Sequence, residues 1–187
     1  MGRPSLREER RAEILSAFAR VLARHGVARA TIAAVASEAG VAPGLIHHHF
    51  VDKDDLLRSL LAQLVQGFRE RTQARADVGD DKLRAYVDAA LKLDERADVV
   101  SAKCWVSLLA EAVSNPALHE PVRRLIDTEI AAIRSRSHGK LTDHAAGAVL
   151  AYVIGALVLG AFAPRKTAGF AAPGLHRLVA ALLDRGR

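Results

Sequence analysis

Three observations predict an all-α fold. Apolar residues recur at spacings of three and four along most of the chain, the signature of helices with one buried face. Ala and Leu dominate while aromatic residues make up only 4 %, a composition that favours helices over sheets. Gly and Pro gather between the periodic stretches rather than inside them. With 187 residues and 50 % hydrophobic content, the chain has ample material for a buried core.

The first helix is expected from Leu6 to His25, where Ile14, Leu15, Phe18, Val21 and Leu22 fall on one face and Gly26 follows as a C-terminal cap. Arg3, Arg7, Arg10 and Arg11 lie at its start. They suit a basic arm that reaches DNA backbone or a minor groove, or equally a solvated charged end shared with Glu8 and Glu9. Next comes TIAAVASEAGVAPGLIHHHF, from Thr31 to Phe50. Thr31 can cap a short helix carrying Ile32, Val35, Ala36 and Ala39, and Gly40 can end it. Val41 can plug the turn, and Pro43 fits the first position of a second short helix. Ile46 and Phe50, four apart, anchor that helix from below, leaving Pro43, Gly44, His47 and His48 outward. This is a helix-turn-helix pattern, with small side chains at the N-terminus of the second helix, where a major groove could be approached closely.

A long fourth helix is expected from Asp52, with Asp55 three residues later in a capping-box-like start. Its stripe of Leu56, Leu57, Leu60, Leu61, Leu64 and Phe68 continues to about Arg71. RADVGDDK reads as a connector, and Leu83, Tyr86, Val87, Ala90 and Leu91 mark a fifth helix. From Val99 a helix with the single tryptophan, Trp105, is expected to stop at Asn115-Pro116. Another, carrying Val122, Leu125, Ile126, Glu129, Ile130 and Ile133, should break near His138-Gly139. Ala145 to Ala163 is free of charge, and Gly147, Ala151 and Gly155 repeat at four-residue steps that permit close helix approach. PRKTAGFAAPG reads as a loop, followed by a final stripe of Leu175, Leu178, Val179, Leu182 and Leu183. Two apolar helices from each of two chains would form a four-helix dimer interface.

AGVAPGLIHHHFVDKDDLL, preceded by ILSAFARVLARHG, resembles the DNA-binding domain of the TetR family of bacterial transcriptional regulators in its Ala39-Gly40-Val41 turn, Phe50, Lys53 and Leu56. The resemblance implies an N-terminal three-helix helix-turn-helix DNA-binding domain over 1–52 and a C-terminal helical ligand-binding and dimerisation domain over 53–187. It also implies DNA contacts from Thr31, Ala42, Pro43, Gly44, His47, His48 and Lys53, the last to phosphate. Ala42 stands where the family usually has Ser or Thr, and His47 where it usually has Tyr. The Trp105 helix with Asn115-Pro116 resembles the C-terminal domain of the BetI-like branch. That implies a homodimeric, cytoplasmic repressor released from a palindromic double-stranded DNA operator by a small-molecule effector. Tyr86, Cys104, Trp105, Leu108, Glu111 and Tyr152 are candidates for the effector pocket or for ordinary core, with Glu111 or Lys103 as a charged anchor.

Other functions find little support in the residues. The net charge of +6 and pI near 10.0 suit a polyanionic partner, although solubility alone accounts for such a charge. Cys104 is the only cysteine, so no intramolecular disulfide is possible, which suits a reducing compartment; no signal peptide is read at the N-terminus. His47, His48 and His49 are consecutive and point apart on a helix, so no metal site is expected. No cofactor motif and no nucleophile, base and acid set are recognisable, so no enzyme is expected. The alternative from another class is a membrane-associated helical protein using residues 145–163, which are long enough to span a bilayer. An apolar core helix shared between subunits has the same composition, and no membrane partner is expected.

Overall fold

The computed structural model describes residues 5–76, 81–91 and 99–185, and among these the backbone forms nine α-helices and no strand. Arg3 of the expected basic arm and residues 77–80 of the expected connector lie outside the described residues. Helix α1 spans Leu6–Arg29, α2 Ile32–Ala39 and α3 Pro43–His49. Ser5 and Glu8 close a capping box on α1, the Glu8 amide donating to Ser5 Oγ and the Glu8 carboxylate accepting from the Ser5 amide. Gly26 breaks the α-helical conformation at φ 72° and ψ 175°, but a further short helical segment reaches Arg29 before Thr31 begins α2.

Helix α4 spans Lys53–Ala76. Its start is double-bonded as the two acids suggested, with the Asp55 amide donating to Asp52 Oδ1 at 2.7 Å and the Val51 amide to Asp55 Oδ2 at 3.1 Å. Then follow α5 Lys82–Leu91, α6 Val99–Glu111, α7 Pro116–Arg136, α8 Asp143–Phe162 and α9 Pro164–Arg185.

Two apolar cores divide these helices. The first gathers Ile14, Phe18 and Leu22 of α1, Val35 of α2, Ile46 of α3 and Leu56, Leu57 and Leu60 of α4. It also takes Cys104 and Leu108 of α6 with Leu118 and Val122 of α7. The helix-turn-helix is therefore joined to α6 and α7 through α1 and α4. The second core packs α5 against α8 and α9 together with Ile133 of α7.

Two expectations about boundaries are corrected. Asn115-Pro116 starts a helix rather than stopping one: α6 ends at Glu111, and Asn115 Oδ1 accepts from the Ala117 amide at 2.9 Å while Pro116 takes the first turn of α7. PRKTAGFAAPG is helix, not loop. Pro164 opens α9, and Pro173 lies inside it on the exposed side, where it donates no intrahelical bond.

The Leu175 and Val179 side of α9 is buried in the chain's own core, as are Val149 and Val153 of α8. What α8 leaves exposed is a stripe of Ala148, Ala151, Gly155, Leu159 and Phe162. Gly147 of the four-residue repeat instead approaches Ile130 of α7. By length and composition α8 could cross a membrane, with 33 % of its most apolar window buried inside the molecule.

Candidate DNA-binding face and effector cavity

The helix-turn-helix is built by local chemistry. Thr31 Oγ1 accepts from the Ala34 amide at 3.2 Å and opens α2. Gly40 closes it in the left-handed region at φ 66°, where a side chain would strain the backbone, and the Val41 amide returns to Ala36 O at 3.0 Å. Ala42 occupies the N-cap of α3 without a side-chain bond, and Pro43 follows. Ile46 and Phe50 are buried beneath, so Ala42, Pro43, Gly44, His47 and His48 lie together on the outer face with Thr31 exposed at the start of α2. A Cβ on Gly44 would meet nothing within 4 Å, which leaves this face open to close approach.

Lys53 is partly buried, and its Nζ donates to the Val27 carbonyl just after the Gly26 break. It pins the start of α4 to the end of α1. An ammonium has three donors, so two remain for a phosphate.

Arg11 does not extend outward as the basic-arm reading allowed. Its guanidinium donates to the His49 carbonyl and to Ser59 Oγ at 2.7 Å, approaches Asp55 at 3.7 Å and lies 4.0 Å from the Phe50 ring centroid. One side chain thus fastens the end of α3 to α1 and α4. Sequence reasoning missed this because the partners are 38 to 48 residues away. His49 sits at the same junction with Nδ1 buried and unpartnered, and its imidazole is held below the ordinary 6.5, by burial first and then by the charges of His48, Arg7, Arg11 and Arg10. Glu38 of α2 bridges Arg20 and Arg24 of α1 across the surface of the two helices.

The other feature is a cavity of about 80 Å³ enclosed by α4 to α8. Its wall is mainly apolar, with Phe68 of α4, Tyr86 of α5, Trp105 and Leu109 of α6 and Leu150 of α8. Of the six sequence-predicted pocket residues, Tyr86 and Trp105 line it. The other four lie elsewhere. Cys104 and Leu108 are on the opposite side of α6, buried in the first core, where Cys104 Sγ lies 3.4 Å from the Ala19 carbonyl. Glu111 accepts from Asn115 Nδ2 at 3.3 Å at the end of α6. Tyr152 packs over Gly174 of α9, where a built Cβ would lie 2.3 Å from its hydroxyl oxygen. Lys103 is exposed.

The charged residues of the wall are Glu129 of α7 and Arg71 of α4. Glu129 is only 7 % exposed. Burial raises its carboxyl above the ordinary 4.5, opposed by Arg136, Arg69 and a hydrogen bond with Tyr86. The Tyr86 phenol is pushed up in turn, by burial and then by the Glu129 charge. The signal for Glu129 was present in the sequence as an acid inside an apolar stripe.

An exposed recognition helix braced by a helix-turn-helix, joined through one long helix to a cavity-bearing helical body, defines the class of DNA-binding regulators that read a duplex with one part and enclose a cavity in another. Comparison with known proteins agrees. Residues 14–60 match the family described as bacterial regulatory proteins, tetR family. The chain is 33 % identical over 134 residues to the HTH-type transcriptional regulator BetI of Paraburkholderia xenovorans (strain LB400), an alignment covering 67 % of this chain and 68 % of that protein. It is 27 % identical over 164 residues to BetI of Stenotrophomonas maltophilia (strain R551-3), covering 86 % and 83 %. A transcriptional regulator from Rhodococcus sp. Rha1 superposes with a TM-score of 0.83 at 25 % identity, covering 93 % of this chain and 96 % of that one. The chain belongs to the TetR family of transcriptional regulators and is BetI-like.

Proposed function

We propose that the protein is a homodimeric repressor that occupies a palindromic operator and leaves it when a small molecule enters the cavity between α4 and α8. The observation that carries this reading is the outward face of α3, where Pro43, Gly44, His47 and His48 stand exposed while Ile46 and Phe50 hold the helix from beneath. A two-fold dimer would present two such faces to successive major-groove turns, with Thr31, Ala42 and Lys53 positioned beside them for backbone contact. We divide the chain functionally into a reading part over 1–52 and an effector-binding and dimerising part over 53–187, acting in the cytoplasm through binding rather than catalysis.

The exposed stripe of α8 is the dimer surface in this reading. Family membership favours that role for α8 over insertion in a membrane. Induction follows from α4, which carries Lys53 beside the reading face and Phe68 in the cavity wall. A ligand that prefers one tilt of α4 changes the separation of the two recognition helices, and a coupling of roughly 1 to 3 kcal/mol weakens operator binding about five- to 150-fold. The test is operator affinity, measured by fluorescence anisotropy across a small-molecule library. The reading predicts compounds that both quench Trp105 fluorescence and release DNA. Compounds that quench Trp105 without changing DNA affinity throughout the library would refute the coupling.

A further inference from the structure

Glu129 is the feature of the cavity that an ordinary apolar core does not explain. A carboxyl group buried in a wall of Phe68, Tyr86, Trp105 and Leu109 carries a desolvation cost unless it is paired. The polar group beside it is the Tyr86 hydroxyl, which interacts with the carboxyl. A carboxylate offers about four lone-pair positions, so acceptor capacity remains toward the cavity.

The surrounding arginines do not fill that role from inside. Arg136 lies over the Tyr86 ring at 5.2 Å from its centroid. Arg71 is exposed and folds back along α4, its Nη1 lying 3.6 Å from where a Cβ on Gly67 would be. Arg69 is exposed on α4. The charges of Arg136 and Arg69 favour the ionised form of Glu129, but burial outweighs them.

A quaternary ammonium and a protonated primary amine are two organic cations that could answer a buried acid. A quaternary ammonium donates no hydrogen bond and depends on several open aromatic faces. Here the Tyr86 ring is already engaged by Arg136 and by Phe68, whose ring meets it in a T-shaped contact at 5.5 Å. A protonated primary amine, by contrast, brings N–H donors that the carboxylate can accept in short charge-assisted bonds. Resting on the reading of this cavity as the effector site, we propose that the effector is a primary ammonium on an apolar body, its N–H groups bonded to Glu129 and its body against Phe68, Trp105 and Leu109.

Four near-isosteric probes test this through the single tryptophan and by isothermal titration on the full chain: benzylamine, which is cationic at neutral pH, benzyl alcohol, benzyltrimethylammonium and benzoate. Benzylamine is expected to bind on the order of tenfold more tightly than benzyl alcohol or the quaternary cation, with benzoate weakest. Glu129→Gln, which keeps shape and removes charge, should bring the ratio of benzylamine to benzyl alcohol affinity close to one. The wild-type ranking decides the matter even if that variant fails to fold. Benzyl alcohol binding as tightly as benzylamine, or benzyltrimethylammonium binding more tightly, would overturn the inference while leaving the cavity as the effector site. A benzylamine preference unchanged in folded Glu129→Gln would overturn the assignment to Glu129. Failure of all four probes to perturb Trp105 would overturn the cavity reading and the inference with it.

Discussion

Replacing Gly155 by arginine separates the stability of one chain from the association of two. Gly155 is exposed on α8, and a Cβ built there meets nothing within 4 Å. Within a single chain the substitution is therefore free of clash, and exchanging an interior helical glycine for arginine improves helix propensity by roughly 0.5 to 1 kcal/mol. In a dimer formed through this stripe the consequence reverses. Leu159 is 51 % exposed and Phe162 80 % exposed on the same face, and covering both in each protomer is worth about 6 kcal/mol of gross burial. Arginine at 155 would hold the facing helices apart and place two like charges where water is excluded, at a cost of several kcal/mol for each ion. The two terms are comparable, so association should fall by at least about a hundredfold, a loss near 3 kcal/mol. Sedimentation velocity across a dilution series, with thermal melts beside it, reads both effects. Gly155→Arg should be a folded monomer at concentrations where the wild type is a dimer. A soluble dimer of unchanged affinity would refute the use of this face.

Other consequences can be checked separately. Arg11→Ala should weaken operator binding by about tenfold through a loosened recognition helix, from hydrogen bonds discounted for partial exposure, with an unchanged salt slope because no phosphate contact is lost. Lysine at the same position should restore little, since it cannot reach His49, Ser59 and Phe50 together; full rescue by Lys with a lowered slope in Ala would mark Arg11 as a DNA contact instead. Trp105→Ala should blunt the effector response while sparing ligand-free DNA affinity, provided circular dichroism confirms the fold around the space it opens. Folding stability should also titrate with Glu129. Its folded carboxyl is raised above the ordinary 4.5, so its favourable contribution is complete below that value and is lost as pH rises through the folded value. The melting temperature of wild type relative to Glu129→Gln should therefore decline as pH rises from about 4.5. A pH-independent difference would contradict the burial argument.

The outward face of α3 was legible in the sequence because local chemistry determines it. Thr31, Gly40 and Pro43 mark the helix ends, and the spacing of Ile46 and Phe50 decides which side of α3 is buried. The cavity was legible only in part. Helix α6 is apolar on two sides, and its sequence does not distinguish the side of Cys104 and Leu108, which faces α1, from that of Trp105 and Leu109, which faces the cavity. Only the packing of α6 between the two cores makes that distinction. Asn115-Pro116 misled because the same pair that disfavours helix before the proline is also a good N-cap and first residue after it. The start of α9 was hidden by Pro173, which is tolerated because its side of the helix faces solvent.

Regulation by sequence-specific binding is tested most directly by hydroxyl-radical footprinting on fragments selected from genomic DNA, at several salt concentrations. The expected pattern is protection of two symmetric half-sites separated by one helical turn or a multiple of it. Lys53→Ala should weaken protection at all sites alike and lower the salt slope by about one. Protection of a single unpaired site, or none at low salt, would contradict a dimer reading a palindrome through α3.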